Sequence, residues 1–391
     1  MQTSAPGVEG VRARPRLREI ALLFLRLGTT AFGGPAAHIA MMEDEVVRRR
    51  RWVTRERFLD LLAATNLIPG PNSTEMAIHI GHLRAGWSGL CIAGVCFILP
   101  ASLITLALAW AYVHFGTRPQ AEALLYGVKP VIIAVVVQAL WGLTRAAVKT
   151  RLLAVLTVVA VAATAIGLNE LVVLLAAGTL AAGVHAARER GSLTAGWLGP
   201  TALGHIATNA VAVATPFSLA ALFLFFLKVG AILFGSGYVL LAFLRADLVD
   251  HWHWLTDRQL LDAVAIGQIT PGPVFTTATF VGYLLGAVPG AAIATAGIFL
   301  PSFVFVAISG PLVPRLRASP TTGAFLDGVV VGSLALMTVV TFLLARAAIV
   351  DVPTALLAAT SALLLLRFRL NSAWLVLAGA LIGLAVTWLG R

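Results

Sequence analysis

The sequence predicts an all-α polytopic membrane protein. It is read as two homologous repeats in inverted orientation, with broken or re-entrant helices and about ten to thirteen membrane segments. Three observations carry that reading. The 391 residues are 59% hydrophobic and only 12% charged, with a mean hydropathy of +0.92, whereas a soluble domain carries roughly 25% charge. Several apolar runs reach the roughly 20 residues that a helix needs to span hydrocarbon, and no strand-like alternation supports a β-barrel. Finally, a double helix breaker interrupts an apolar stretch twice, as Pro69-Gly70-Pro71 and Pro271-Gly272-Pro273. Proline lacks a backbone donor and glycine favours a turn. Inside a membrane such a break is costly unless the freed groups line a buried or watery cavity. Its recurrence in two halves points to a transport site.

The chain divides into a basic cytoplasmic tail (1–19), a first repeat (20–187), a linker (188–218) and a second repeat (219–391). The tail carries Arg12, Arg14, Arg16 and Arg18 ahead of an apolar run. That pattern resembles a signal peptide, but the same run recurs deep in the chain at 223–242, so it is read as mature protein. An offset of 202 aligns Pro69-Gly70-Pro71 with Pro271-Gly272-Pro273, Arg26 with Lys228, Phe32-Gly33 with Phe234-Gly235, and Asp60 with Asp262. After one deletion, an offset of 201 aligns Gly81 with Gly282 and Leu99-Pro100 with Leu300-Pro301. The repeat covers about 125 residues per half.

Each half reads alike. A first helix ends at Phe32-Gly33-Gly34-Pro35 or at Phe234-Gly235-Ser236-Gly237. A charged amphipathic stretch follows, at 41–58 and 245–260. Short helices then flank each break: 58–68 and 72–83, and 260–270 and 274–285. Each is too short to span alone, so together they form a re-entrant pair or one broken span. Full runs come after, at 87–115, 123–148, 152–167 and 171–185, and again at 288–313, 324–349, 354–366 and 371–389. The linker is polar and Gly-rich, with room for an extra span over 207–219. Gly282, Gly286 and Gly290 are spaced for close packing on one helical face.

The net charge is +11. Nucleic-acid binding is excluded because the basic residues flank spans instead of forming a polar domain. Arg48, Arg49, Arg50 and Arg51 mark the first loop as cytoplasmic, while its second-half equivalent carries Asp247, Asp250 and Asp257 and is read as external. That difference is what makes the repeats inverted. The basic tail would also prefer the cytoplasm. Either the first helix breaks at Gly33-Gly34-Pro35 and returns, or one cluster is misplaced. Cys91 and Cys96 fit no metal or redox spacing and read as small apolar fillers. No cofactor, metal cluster, phosphate loop or catalytic triad is visible, so the chain is read as a non-enzyme. His251 and His253 flank Trp252 as an interfacial belt.

A helix starts directly after each break, at Asn72-Ser73-Thr74 and at Val274-Phe275-Thr276. Unpaired N–H groups and the positive dipole end make such starts anion sites without full charge; a structural kink with ordinary caps is the plainer alternative. Arg26, Lys228 and Lys129 lie in apolar runs and are counter-charges for a dianion, with snorkelling as the alternative for Arg26. Glu75 and His79 sit one turn apart and could relay protons. Asp60 is a further candidate for proton coupling. Asp60 and Asp262 are open to pairing with Arg26 and Lys228, or with Arg57 and Arg258.

These motifs resemble the chromate transporter family: Phe24-Leu25-Arg26-Leu27-Gly28 through Phe32-Gly33-Gly34-Pro35, then Asn66-Leu67-Ile68-Pro69-Gly70-Pro71-Asn72-Ser73-Thr74-Glu75, Gly81 and Leu99-Pro100. The second copy, with Gln268-Ile269-Thr270-Pro271-Gly272-Pro273, resembles that family's C-terminal domain. The resemblance implies a long-chain, two-domain exporter of chromate in a bacterial inner (plasma) membrane, conferring chromate resistance. The membrane potential or the proton gradient would drive it. Sulfate is a plausible competitor, a passive anion channel the alternative mechanism, and a homodimer an open assembly state.

Overall fold

The computed structural model describes residues 17–31, 34–65, 67–116, 118–189, 216–234, 239–317, 319–368, 370 and 372–389. Arg12, Arg14, Arg16, Phe32, Gly33, Asn66, Gly235, Ser236 and Gly237 lie outside these, as do residues 190–215 with most of the expected linker and its candidate span. Among the described residues there are helices and no strand. The first half contains α1 (Leu17–Thr30), α2 (Gly34–Glu43), α3 (Arg55–Thr65), α4 (Asn72–Phe115), α5 (Pro119–Ala147), α6 (Arg151–Ala165) and α7 (Glu170–Glu189). The second contains α8 (Leu219–Ile232), α9 (Leu240–Phe243), α10 (Asp257–Ile269), α11 (Thr277–Arg317), α12 (Pro320–Ala348), α13 (Val352–Phe368) and α14 (Ser372–Leu389). Among the described residues, five helices are long and apolar enough to cross a membrane: Asn72–Phe115, Pro119–Ala147, Glu170–Arg188, Val274–Ser309 and Pro320–Ala348.

α1 buries Ile20, Leu23, Phe24 and Leu27, the i, i+3, i+4, i+7 stripe of a helix with one packed face. In lipid that stripe gains close packing more than hydrophobic burial, and Gly28 supplies it: a Cβ there would meet the Phe97 backbone carbonyl of α4. After the breaker residues, α2 folds back along α1. Arg26 donates to Glu45 at 2.7 Å, and His38 Nε2 lies 3.0 Å from the Ala31 carbonyl. The first helix therefore breaks and returns. Arg18, at the start of α1, and the arginines of 48–57 consequently lie at one end of the molecule, which resolves the topological difficulty in the sequence.

α3 and residues 72–84 form a second re-entrant hairpin around Pro69-Gly70-Pro71. α4 reverses again at Ala85 (φ −144°) and Gly86 (φ +60°), so its two arms, 72–84 and 87–115, run antiparallel. Gly81 and Gly89 face each other across that reversal, where any Cβ would strike the opposing carbonyl. The same turn recurs at Gly286 and Ala287, with Gly282 opposite Gly290. Gly286 is thus part of a turn, and does not share one packing face with Gly282 and Gly290 as the spacing predicts.

Inversion is visible in two contacts. Arg84, at the hairpin end of the 87–115 arm, lies over Trp52 of the loop before α3 (5.3 Å). Arg258, in the first turn of α10, donates to Glu122 at 2.8 Å, and Glu122 lies at the start of α5, beyond the far end of that arm. Equivalent loops therefore sit at opposite ends of the molecule. The halves also interlock: α5 packs on α13 and α14, and α12 on α6 and α7.

Candidate functional site

The two Pro-Gly-Pro tips meet the opposite repeat. Gly70 N–H donates to the Leu233 carbonyl at 2.8 Å, and Gly272 N–H donates to the Ala31 carbonyl at 2.9 Å. Leu233 and Ala31 are equivalent positions, as are Gly272 and Gly70, so one contact is made twice about a pseudo-twofold axis. Each break thereby latches onto the end of the other half's first helix. Both glycines take left-handed backbone angles, φ +134° at Gly70 and +87° at Gly272, which only glycine adopts without strain. A Cβ on Gly272 would lie 2.7 Å from the Ala101 methyl; one on Gly70 would strike the Glu75 carboxyl and the Ser302 hydroxyl. Ala101 and Ser302 each follow Leu-Pro on the long arm of their repeat.

At the first break, Pro71 has extended backbone (φ −77°, ψ 96°) and precedes the first helical residue, Asn72. Its carbonyl accepts from Thr74 N–H (2.8 Å) and Glu75 N–H (3.0 Å). Ser73, Thr74 and Glu75 are buried, with Thr74 and Glu75 fully so. Ser302 is the polar neighbour of Glu75, yet the Thr74 hydroxyl, both Glu75 oxygens and the Ser302 hydroxyl complete no hydrogen bond. Leaving a buried polar group unsatisfied costs about 1–3 kcal/mol, so a cluster of them needs a functional account. One turn on, His79 is buried, with Nε2 3.5 Å from Ser309 Oγ of α11. That contact is long, but it sets a polar file of Glu75, His79, Ser302 and Ser309 along the α4–α11 crossing.

The second break spends its hydroxyls on its own backbone. Thr276 Oγ1 donates to the Pro273 carbonyl (2.9 Å), Thr277 Oγ1 to Val274 (2.8 Å) and Thr270 Oγ1 to Gly267 (3.1 Å).

The cations expected near the site all have acidic partners. Arg26 pairs with Glu45, and Lys228 with Asp247, again at equivalent positions. Burial disfavours the charged form of Glu45, but hydrogen bonds from Arg50 and Arg26 and the charges of Arg26 and Arg49 outweigh it and hold its carboxyl below the usual range. Lys129 is 2.8 Å from Asp262. Asp262 thus takes neither partner open to it in the sequence, since Lys228 is held by Asp247 and Arg258 by Glu122. Asp60, its equivalent, lies on an exposed face of α3. Gly34 begins α2, while Gly33 is outside the described residues. Trp252 packs on Phe225 (5.5 Å). Cys91 and Cys96 are free thiols.

Sequence reasoning missed His38, Tyr112 and Ser302. A lone histidine three residues past a Gly-Gly-Pro breaker is a usable signal for His38. Ser302 and Tyr112 carry none, because their roles arise from contacts between distant segments.

The sequence profile of the chromate transporter family matches residues 18–182 and 220–384, one match per repeat. The chromate transport protein of Cupriavidus metallidurans is 37% identical over 392 residues, covering 98% of this chain and 96% of the relative. The chromate transport protein of Pseudomonas aeruginosa is 34% identical, over 85% of this chain and 82% of its own length. No solved structure matches the chain. With both repeats matched and two relatives aligned along most of their length, this multi-pass membrane protein belongs to the chromate transporter family.

Proposed function

We propose that the protein is a secondary transporter that exports chromate across a bacterial inner membrane. The observation that carries this reading is the meeting of two broken helices, one of which buries an acidic side chain and hydroxyls with hydrogen-bonding capacity left over. In this reading the oxyanion binds where the tips meet. The helix starts at Asn72-Ser73-Thr74 and at Thr276 turn the positive ends of their dipoles toward it, with the Thr74 and Thr276 N–H groups themselves bonded to the Pro71 and Pro273 carbonyls. The backbones of Gly34, Pro69-Gly70-Pro71 and Pro271-Gly272-Pro273 frame the anion, and Gly33, the remaining residue of this set in the sequence, lies outside the described residues. Arg26, Lys228 and Lys129 supply positive field, tempered by their acidic partners. Glu75 and His79 carry the coupling proton, with Asp60 at the exposed face of α3 as its exchange point.

The Arg-rich end is assigned to the cytoplasm by the positive-inside rule. The negative interior then favours anion export by about 2.3 kcal/mol per charge per 100 mV. Sulfate, an isostructural dianion, competes. The test is uptake of radiolabelled chromate and sulfate into inside-out vesicles with and without a pH gradient. The expected result is chromate uptake that the gradient stimulates. Absence of chromate flux in both conditions overturns the reading, and flux indifferent to the gradient assigns a uniporter or a passive channel instead.

A further inference from the structure

A cavity of about 690 Å³ opens at the end of the molecule opposite the Arg-rich loop. Glu122, Tyr126 and Lys129 of α5, Arg258 and Leu261 of α10, and Val386 of α14 contribute to its wall. Arg258 is held at the rim by Glu122 in a pair whose side chains are both more than half exposed; such pairs exchange partners readily. Deeper, Lys129 lines the wall while its partner Asp262 lies behind it, completely buried. The far oxygen of Asp262 accepts from the Tyr112 hydroxyl at 2.8 Å.

This arrangement is polarised. Lys129 contributes to the cavity wall, whereas the Asp262 carboxylate is wholly buried between Lys129 and Tyr112. The lysine stem is flexible and its charge compact, so Lys129 can turn from Asp262 to a ligand. Tyr112 would still satisfy the carboxylate after that turn, which removes part of the usual penalty for separating a buried pair. The fold itself does not require the device. Val313 and Val330 stand at the equivalent positions to Tyr112 and Lys129 in the second repeat, and Asp60 is exposed. An ionisable cluster within membrane-embedded helices that only one repeat possesses marks a functional site.

We propose that this cavity is a binding site for a small tetrahedral dianion, with Lys129 as its ligand and Asp262 as a tethered carboxylate that occupies the ammonium until the dianion takes it. A dianion brings twice the charge of the carboxylate it displaces, which strengthens its attraction to the ammonium relative to a monovalent anion and is set against its larger dehydration cost. The proposal rests on the oxyanion-transport reading for its ligand class, and it moves Lys129 from a source of field at the Pro-Gly-Pro tips to a direct ligand in a vestibule separate from them.

The test uses purified full-length protein carrying Cys91→Ala, Cys96→Ala and Leu125→Cys, which places one thiol in the cavity wall. Labelling by a neutral maleimide is timed with sulfate or molybdate against chloride at matched ionic strength. Either dianion is expected to slow labelling about fivefold or more. Lys129→Gln is expected to abolish that protection, and Asp262→Asn to bring half-protection at about tenfold lower dianion concentration. Unchanged labelling in the presence of both dianions overturns the proposal. So does protection that survives Lys129→Gln, or an Asp262→Asn protein that needs as much dianion as the parent. If a charge variant fails to elute as the parent does, protection in the Leu125→Cys parent decides alone. Chromate flux in vesicles without cavity protection would leave the transport reading standing and remove this one; protection without flux would do the reverse.

Discussion

The two breaks share a backbone and differ in everything attached to it. Gly70 and Gly272 make the same hydrogen bond to equivalent carbonyls of the opposite repeat. Around the second, three threonine hydroxyls bond back to their own helix ends, and residues 260–267 of α10 are buried throughout. Around the first, Thr74, Glu75 and Ser302 are buried with unused hydrogen-bonding capacity, while much of α3 is exposed. The duplicated part is scaffold, a latch that joins the halves at their tips. The diverged part leaves buried polar groups at the first break with unused hydrogen-bonding capacity, and the proposed function assigns the ligand and the proton to them. An inverted pair need not act as two equal sites; here one tip is chemically closed and the other open.

The sharpest way to break that contrast is at the glycines. Gly70→Ala puts a methyl into the Glu75 carboxyl and forces an unfavourable backbone angle costing about 1–3 kcal/mol. Chromate uptake is expected to fall roughly 10- to 100-fold if that strain appears in the transport barrier. Gly272→Ala carries the same kind of backbone strain and meets the Ala101 methyl and the Gly28 carbonyl at 2.7 and 3.2 Å, but it displaces no acidic side chain and is expected to lose less transport for the same loss of stability. An equal or larger loss at Gly272 would erase the asymmetry.

A smaller effect is expected at the helix starts. Asn72→Ala should reduce chromate uptake about tenfold, one hydrogen bond to a charged ligand, while Val274→Ala stays within about twofold. Membrane insertion, read by the yield of monodisperse protein, should be unchanged in both. Equal uptake by the two variants would place the anion away from Asn72.

The smallest effect concerns the ion pairs that clamp the first re-entrant hairpin. The Arg26 and Arg49 side chains are 54% and 62% exposed, so solvent screens them. Glu45→Gln is expected to cost about 1 kcal/mol of stability at neutral pH. Because the folded carboxyl titrates below its unfolded value, that stabilisation is present above the ordinary carboxylate range near pH ~4.3 and is lost as pH falls through the lower folded value. Thermal melts of parent and variant should converge on acidification. A gap that widens in acid would contradict the sign.

Much of this architecture is legible in the sequence because breakers and offsets are local or periodic signals. Pro-Gly-Pro fixes where α3 and α10 stop, and the 202-residue offset fixes the partner positions. The basic clusters pose the choice between a returning first helix and a misplaced cluster, and the fold-back of α2 decides it for the returning helix. What the sequence leaves open is pairing across the repeats. Asp262 finds Lys129 and Tyr112 of the first repeat, and Glu75 meets Ser302 of the second. Those contacts follow from the interlock of the halves, which no local pattern encodes. His38 is intermediate: its neighbouring breaker was visible, but its bond to the Ala31 carbonyl depends on the fold-back.

The most direct measurement compares Glu75→Gln with Thr277→Val, the equivalent position in the closed break. Radiolabelled chromate uptake into inside-out vesicles is recorded for each with and without a pH gradient. The account predicts that Glu75→Gln abolishes stimulation by the gradient, whereas Thr277→Val, which loses one internal hydrogen bond worth about 1 kcal/mol, keeps it. Stimulation that persists in Glu75→Gln, or disappears equally in both, contradicts the claim that the first break carries the chemistry.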